Sequence, residues 1–223
     1  MLAYVSLWSA DLLALGEAVD RLGEVADGFH IDVFDGHNVP ELLFGPDVVA
    51  ALRARTTTVL DVHLNVSDPG FWVPRFIDAG ADMVTVQSGA SGEIAATLGS
   101  IRSAGARPSL GLELHEPVEQ AEGLFGAIDR VLVMGTPLGV KGAELDPATP
   151  GRVSALVEAR AAHFGDGLGP LIVVDGGIRA HTVQVLAAAG ADGVVPGSLV
   201  FGQPDPVAVV SELHALGCSA GAK

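Results

Sequence analysis

The segment Ala189-Gly190-Ala191-Asp192 repeats Ala79-Gly80-Ala81-Asp82. In both, a helical pattern stops at a glycine, the residue best able to end a helix in the left-handed conformation, and an apolar run begins at once. Reading outward from these two joints, short apolar runs alternate with helical patterns along the whole chain. Strands are predicted at Leu2–Leu7, Gly28–Phe34, Thr58–Leu64, Asp82–Gln87, Arg107–Glu113, Asp129–Met134, Leu171–Val174 and Ala191–Pro196. Helices are predicted at Leu12–Ala26, Pro46–Arg55, Pro69–Ala79, Ser91–Ala104, Pro117–Phe125, Pro147–Phe164, Ala180–Ala189 and Pro204–Leu216. Asp68-Pro69, Glu116-Pro117, Asp146-Pro147 and Asp205-Pro206 set a polar residue before a proline, as at a first helical turn. Eight βα units point to a closed (β/α)₈ TIM barrel occupying residues 1–223 as one domain, with a doubly wound open sheet as the alternative. No linker divides the chain; His163–Pro170 reads as a loop.

Composition narrows the partners. Of 223 residues, 49% are hydrophobic and 17% charged, which excludes a disordered chain. Mean hydropathy is +0.44, yet glycine, proline or charge breaks every apolar stretch short of the ~18 residues a membrane span needs. A net charge of −15 argues against nucleic acid and anionic membranes as partners, and a small anionic substrate would need a local device to hold it. The one cysteine, Cys218, excludes an intrachain disulfide framework and a zinc site built of cysteines. The N-terminus has no basic region ahead of its first apolar run, so no signal peptide is read and a cytoplasmic location is expected.

In a barrel of this kind the reactive groups gather at the C-terminal ends of the strands. The second strand ends His30-Ile31-Asp32-Val33-Phe34-Asp35-Gly36, and side chains two apart share a face, so His30 and Asp32 point together. The third ends Leu60-Asp61-Val62-His63-Leu64, which pairs Asp61 with His63; the seventh ends Val173-Val174-Asp175-Gly176-Gly177. Two imidazoles and at least two carboxylates at one mouth suit a divalent transition metal, with Asp61 read as an orienting partner of a ligand. A lone histidine at a strand end is ordinarily a hydrogen-bonded loop residue; three such ends together are not ordinary. His37, His115, His163, His181 and His214 lack this context, although His37 could line the rim. Asp175-Gly176-Gly177 and Pro196-Gly197-Ser198 close the last two strands, where such barrels bind phosphate through backbone amides and a short helix, here expected near Ser198-Leu199-Val200-Phe201. Gly139-Val140-Lys141-Gly142 after the sixth strand adds a fixed positive charge.

These residues resemble the ribulose-phosphate 3-epimerase family along nearly the whole chain. The match runs through Ser6-Leu7-Trp8-Ser9-Ala10-Asp11, the segment from His30 to Pro40, Phe44-Gly45-Pro46, Asp61-Val62-His63-Leu64, Leu132-Val133-Met134, Val174-Asp175-Gly176-Gly177-Ile178 and Gly197-Ser198. The resemblance implies a barrel of the ribulose-phosphate-binding type. It implies one divalent metal (zinc, iron, manganese or cobalt) on His30, Asp32, His63 and Asp175, with Asp32 and Asp175 exchanging protons with substrate. It further implies substrate contacts from Ser6, His63, Gly139, Val140, Lys141, Gly142, Gly176, Gly177, Gly197 and Ser198, no organic cofactor, and association as dimers or hexamers.

The reaction so implied is 3-epimerisation of a ketose phosphate, with D-ribulose 5-phosphate to D-xylulose 5-phosphate the leading case. The same chemistry on a ketohexose 6-phosphate such as D-allulose 6-phosphate, or on a tetrulose phosphate, is the alternative. The chain departs from the family pattern at Phe34 and Asn65, where relatives usually carry methionine, and at Gln87, where they usually carry histidine. It also departs in the loop Pro137-Leu138-Gly139-Val140-Lys141-Gly142-Ala143. Those departures leave the metal set intact and the sugar open. A lyase of the related decarboxylase type would need a lysine that Asp61-Val62-His63-Leu64-Asn65-Val66 lacks. A non-catalytic sugar-phosphate sensor would not need the four ligands.

Overall fold

A parallel strand covered on both faces reads as a continuous apolar run, and the eight runs of the sequence become eight such strands. The computed structural model of the chain describes residues 1–165 and 167–219. Its strands are β1 (Leu2–Ser6), β2 (Gly28–Asp35), β3 (Leu42–Leu43), β4 (Val59–Asn65), β5 (Met83–Gln87), β6 (Arg107–Leu112), β7 (Arg130–Met134), β8 (Leu171–Asp175) and β9 (Gly193–Val195). All but β3 are parallel, in the order β1-β9-β8-β7-β6-β5-β4-β2, and pairing of β1 with β2 closes the ring. The closed barrel displaces the open-sheet alternative.

The helices between the strands are α1 (Leu15–Leu22), α2 (Pro46–Arg53), α3 (Pro69–Asp78), α4 (Ile94–Ser103), α5 (Glu119–Glu122), α6 (Thr149–Phe164), α7 (Ala180–Ala188), α8 (Ser198–Phe201) and α9 (Pro206–Ser219). Several are shorter than the sequence pattern. Asp11 turns back to accept from the Leu13 amide, so α1 starts three residues after Leu12. Asp146 accepts from Ala148, which delays α6 to Thr149, and Pro117 opens only the four-residue α5. Asp68 does cap α3, accepting from the Phe71 amide at 3.0 Å. The two-residue β3, antiparallel to the end of β2, has no counterpart in the sequence reading.

Alternation sorts the side chains into two cores. Ile31, Val33, Val62, Leu64, Val84, Val86, Val131, Val133, Ile172 and Val174 face outward and pack against the helices. The opposite phase fills the barrel. On the β7–β9 side that filling is apolar but for Arg130 and Asp175, with Leu132, Met134, Val173 and Val195 around Tyr4. On the β2–β6 side it is polar: His30, Asp61, His63, Thr85, Gln87 and Ser109 are all buried.

The repeated segments make the same joint twice. Gly80 and Gly190 stand at φ +103° and +95°, and the aspartate that follows each turns under the barrel. Asp82 accepts from the Leu60 amide at 2.8 Å and pairs with Arg53 of α2 at 2.7 Å. Asp192 accepts from the Ile172 amide at 2.7 Å and pairs with Arg160 of α6 at 2.5 Å. Asp27 repeats the device on the Ala3 amide, with His214 Nε2 2.8 Å away. Each carboxylate thus ties the amide of a strand's second residue to a basic side chain on a neighbouring helix. A hydrogen bond to a charged, part-buried group contributes about 2 kcal/mol. Asp192→Ala should therefore lower the melting temperature by about 4–8 °C. Thermal unfolding followed by circular dichroism checks this, and an unchanged melt would remove the joint from the barrel's stabilising contacts.

Candidate active site

In-register pairing of β2 with β4 sets His30 beside Asp61 and Asp32 beside His63. Because the side-chain period is two, all four enter the barrel on one face. Asp175 joins them from the end of β8. One ligand atom from each of His30, Asp32, His63 and Asp175 lies within 4.8 Å of the others. Asp32 Oδ1 is 3.4 Å from His30 Nε2 and 3.3 Å from His63 Nδ1; Asp175 Oδ2 is 3.6 and 3.8 Å from the same two nitrogens.

The donor set fits a divalent ion. Donor atoms around a tetrahedral ion with bonds of ~2.1 Å stand about 3.4 Å apart, and the four nitrogen–oxygen separations here are 3.3–3.8 Å. His30 Nε2 and His63 Nδ1 are buried and make no hydrogen bond, which is costly for a polar atom unless something else meets it. The far nitrogen of each ring has a partner. His30 Nδ1 is 2.7 Å from Asp61 Oδ2, and His63 Nε2 is 2.9 Å from the Gln87 side-chain amide. Ligation through His63 Nδ1 puts the ring hydrogen on Nε2, and the Gln87 amide then turns its oxygen toward it. The adjoining Asn65 amide, 3.1 Å from Gln87, turns with it to remain paired.

The electrostatics split the two carboxylates. Burial alone would raise both. At Asp32 the neighbouring His30 and His63 imidazoles outweigh burial and hold the carboxyl well below the usual range. At Asp175 burial wins, with the Asp32 charge adding to it, and the carboxyl is pushed up to about 6. Burial opposes a charge on His30, yet the carboxylates of Asp32 and Asp61 overcome it and raise its affinity for a proton. The same negative field favours a divalent cation.

Above this floor opens a cavity of about 420 Å³. Asp32 and Asp175 reach it, and so do nine of the ten residues expected to touch substrate: Ser6, Gly139, Val140, Lys141, Gly142, Gly176, Gly177, Gly197 and Ser198. His63 lies behind the wall, fully buried. Gly177, at φ +69°, is held too tightly for any side chain, since a Cβ would stand 2.5 Å from the Leu145 backbone; at Gly197 a Cβ would stand 2.3 Å from Ser9 Oγ, which would have to turn away. The short helix α8 begins at Ser198, where the sequence placed it. Lys141 donates to the Trp8 carbonyl at 2.7 Å and sits 4.5 Å over the Trp8 ring, whose edge meets Phe34.

Arg179 and Thr136 also line the cavity, and Arg130 lies beneath it; none was picked out from sequence. The signal for Arg130 was its phase, which it shares with the inward Leu132 and Met134. His37 is exposed and bonded to Asp35, and His163 lies against the Phe164 ring at a tilt of 58°. No helix among the described residues is long and apolar enough to cross a membrane.

Comparison with known proteins agrees with this geometry. Residues 3–201 match the model of the ribulose-phosphate 3 epimerase family. The ribulose-phosphate 3-epimerase of Bacillus subtilis is 35% identical over 210 residues, covering 94% of this chain and 96% of that protein. That of Rhodobacter capsulatus is 36% identical over 199 residues, 88% of this chain and 84% of its own. Among solved structures, 3-hexulose-6-phosphate synthase from Salmonella typhimurium superposes with a TM-score of 0.72 at 21% identity, over 98% of this chain and 99% of that one. Orotidine 5'-phosphate decarboxylase from Pyrococcus horikoshii gives 0.69 at 15%, over 98% and 99%; both likenesses speak to the barrel alone. The chain is an epimerase and belongs to the ribulose-phosphate 3-epimerase family.

Proposed function

We propose that the chain interconverts D-ribulose 5-phosphate and D-xylulose 5-phosphate by two-base proton transfer through an enediolate. The observation that carries this reading is the pair Asp32 and Asp175, set against two buried imidazoles at the floor of a cavity rimmed by backbone amides. His30, Asp32, His63 and Asp175 would hold one divalent ion. When bound, it supplies a Lewis acid beside the oxygens on which negative charge develops. Asp32, held ionised, takes the C3 proton from one face of the ketose, and the electron pair moves into the enediolate. Asp175, the carboxyl with the higher proton affinity, gives a proton to C3 on the opposite face; in reverse the roles exchange. Overall one C–H bond breaks and one forms, so no organic cofactor is needed.

The phosphate is read as lying on the amides of Gly177, Gly197 and Ser198, with Lys141 near enough to add a point charge. A second reading keeps the chemistry and changes the sugar. It is favoured by Asn65, an amide in the cavity wall where relatives usually present an apolar side chain. Rates on a panel of tetrulose, pentulose and hexulose phosphates separate the two.

Three outcomes follow. Purified protein should carry about one divalent ion per chain, and both metal content and activity should be lost in His63→Ala; full activity after complete chelation would refute the metal reading. Asp32→Asn and Asp175→Asn should each lower kcat about 10²–10⁴-fold, and wild-type turnover in D₂O should place deuterium at C3. Turnover with no exchange at C3 would exclude the two-base path. Lys141→Ala should raise KM about tenfold with kcat little changed, as expected for uniform binding of a charged group. An unchanged KM would confine Lys141 to its contact with Trp8.

A further inference from the structure

Arg130 opens β7 and is wholly buried, the largest side chain so enclosed among the described residues. Its phase directs it into the barrel, across to Asp61 of β4. Nη1 donates to Asp61 Oδ2 at 2.7 Å and Nη2 to Asp61 Oδ1 at 2.5 Å, a two-pronged pairing that fixes the plane of the carboxylate. Nη2 also donates to Thr85 Oγ1 at 2.7 Å and Nε to Ser109 Oγ at 3.0 Å; the Thr85 hydroxyl in turn donates to Ser109. The Tyr4 ring lies 5.1 Å from the guanidinium carbon. Four of the five guanidinium hydrogens therefore have acceptors, drawn from β4, β5 and β6.

Asp61 Oδ2, thus oriented, meets His30 Nδ1 at 2.7 Å. A carboxylate can only accept here, so in the neutral, ligating ring the hydrogen resides on Nδ1 and the Nε2 lone pair is free for a metal. That nitrogen points between Asp32 and Asp175. We propose that Arg130 is a positioning residue for His30: through Asp61 it sets the tautomer and the ring plane of this ligand. The proposal rests on the metal reading above. His63 has no such charged support, only the Gln87 amide, so the two imidazole ligands differ in how firmly they are held.

The test is cobalt(II) binding to the metal-free chain, followed by its visible absorption, alongside the thermal melt. Arg130→Met, which keeps the bulk and loses the fork, should weaken cobalt binding 10–100-fold and alter the absorption envelope. Asp192→Ala, remote from the site under the barrel, serves as the control that lowers the melt while leaving the cobalt Kd within twofold. Folded Arg130→Met that melts lower but binds cobalt within twofold of wild type would overturn the proposal and leave Arg130 a packing element. If Arg130→Met does not fold, Arg130→Lys decides: it keeps the charge without the fork, and an unchanged Kd overturns the proposal whereas a loss of threefold or more supports it. A wild-type chain that binds no cobalt overturns the metal reading and this proposal together. Normal wild-type binding with an unchanged variant overturns this proposal alone.

Discussion

Everything at the mouth of this barrel depends on the register between β2 and β4. Parallel pairing sets His30 opposite Asp61 and Asp32 opposite His63. Slipping β2 by one residue would exchange His30 and Asp32 for Ile31 and Val33, and slipping β4 would exchange Asp61 and His63 for Val62 and Leu64; either slip turns two polar groups out against the helices. That register is enforced from both sides. Outside, the aliphatic side chains interlock with the helical layer. Inside, Arg130 and Asp61 would each be left as a buried, unpaired charge, which is far more costly than a misplaced methyl group. The polar filling of the β2–β6 side is thus tied to one alignment of strands, where an all-aliphatic filling would tolerate several.

Much of this was legible in the sequence, for reasons that can be named. The strands showed because covered parallel strands are apolar throughout and end at glycine or aspartate. The His-x-Asp and Asp-x-His spacings gave the inward phase of β2 and β4, hence the grouping with Asp175. The helix starts were less legible. Asp146 bonds to the amide two residues on and forms a turn where a helix start was expected, Asp11 does the same just ahead of α1, and sequence alone offers no way to choose between those uses of a short carboxylate. The two-residue β3 has no pattern long enough to read. Arg130 was overlooked because an arginine after Asp129 at a strand start looks like a solvated edge; only its phase with Leu132 and Met134 says otherwise. Gln87 was visible as a departure, but its pairing with His63 required the neighbouring strand.

The layout of the polar core also governs the order in which the site can be completed as the chain is made. His30, Asp32, Asp61 and His63 all lie on adjacent strands within the first 65 residues, so an emerging chain can bring them together early. Their stabilising partners come late. Arg130 is 69 residues beyond Asp61, Asp175 is supplied by β8, and β1 closes the ring only with β9. Domains form from the N-terminal side during synthesis, and long-range contacts are slow to form. The early strands must therefore carry an uncompensated carboxylate until β7 arrives. Closure of the barrel and maturation of its chemistry are then a single event: a partly made chain holds three of the four candidate ligands but neither a neutralised Asp61 nor a cavity.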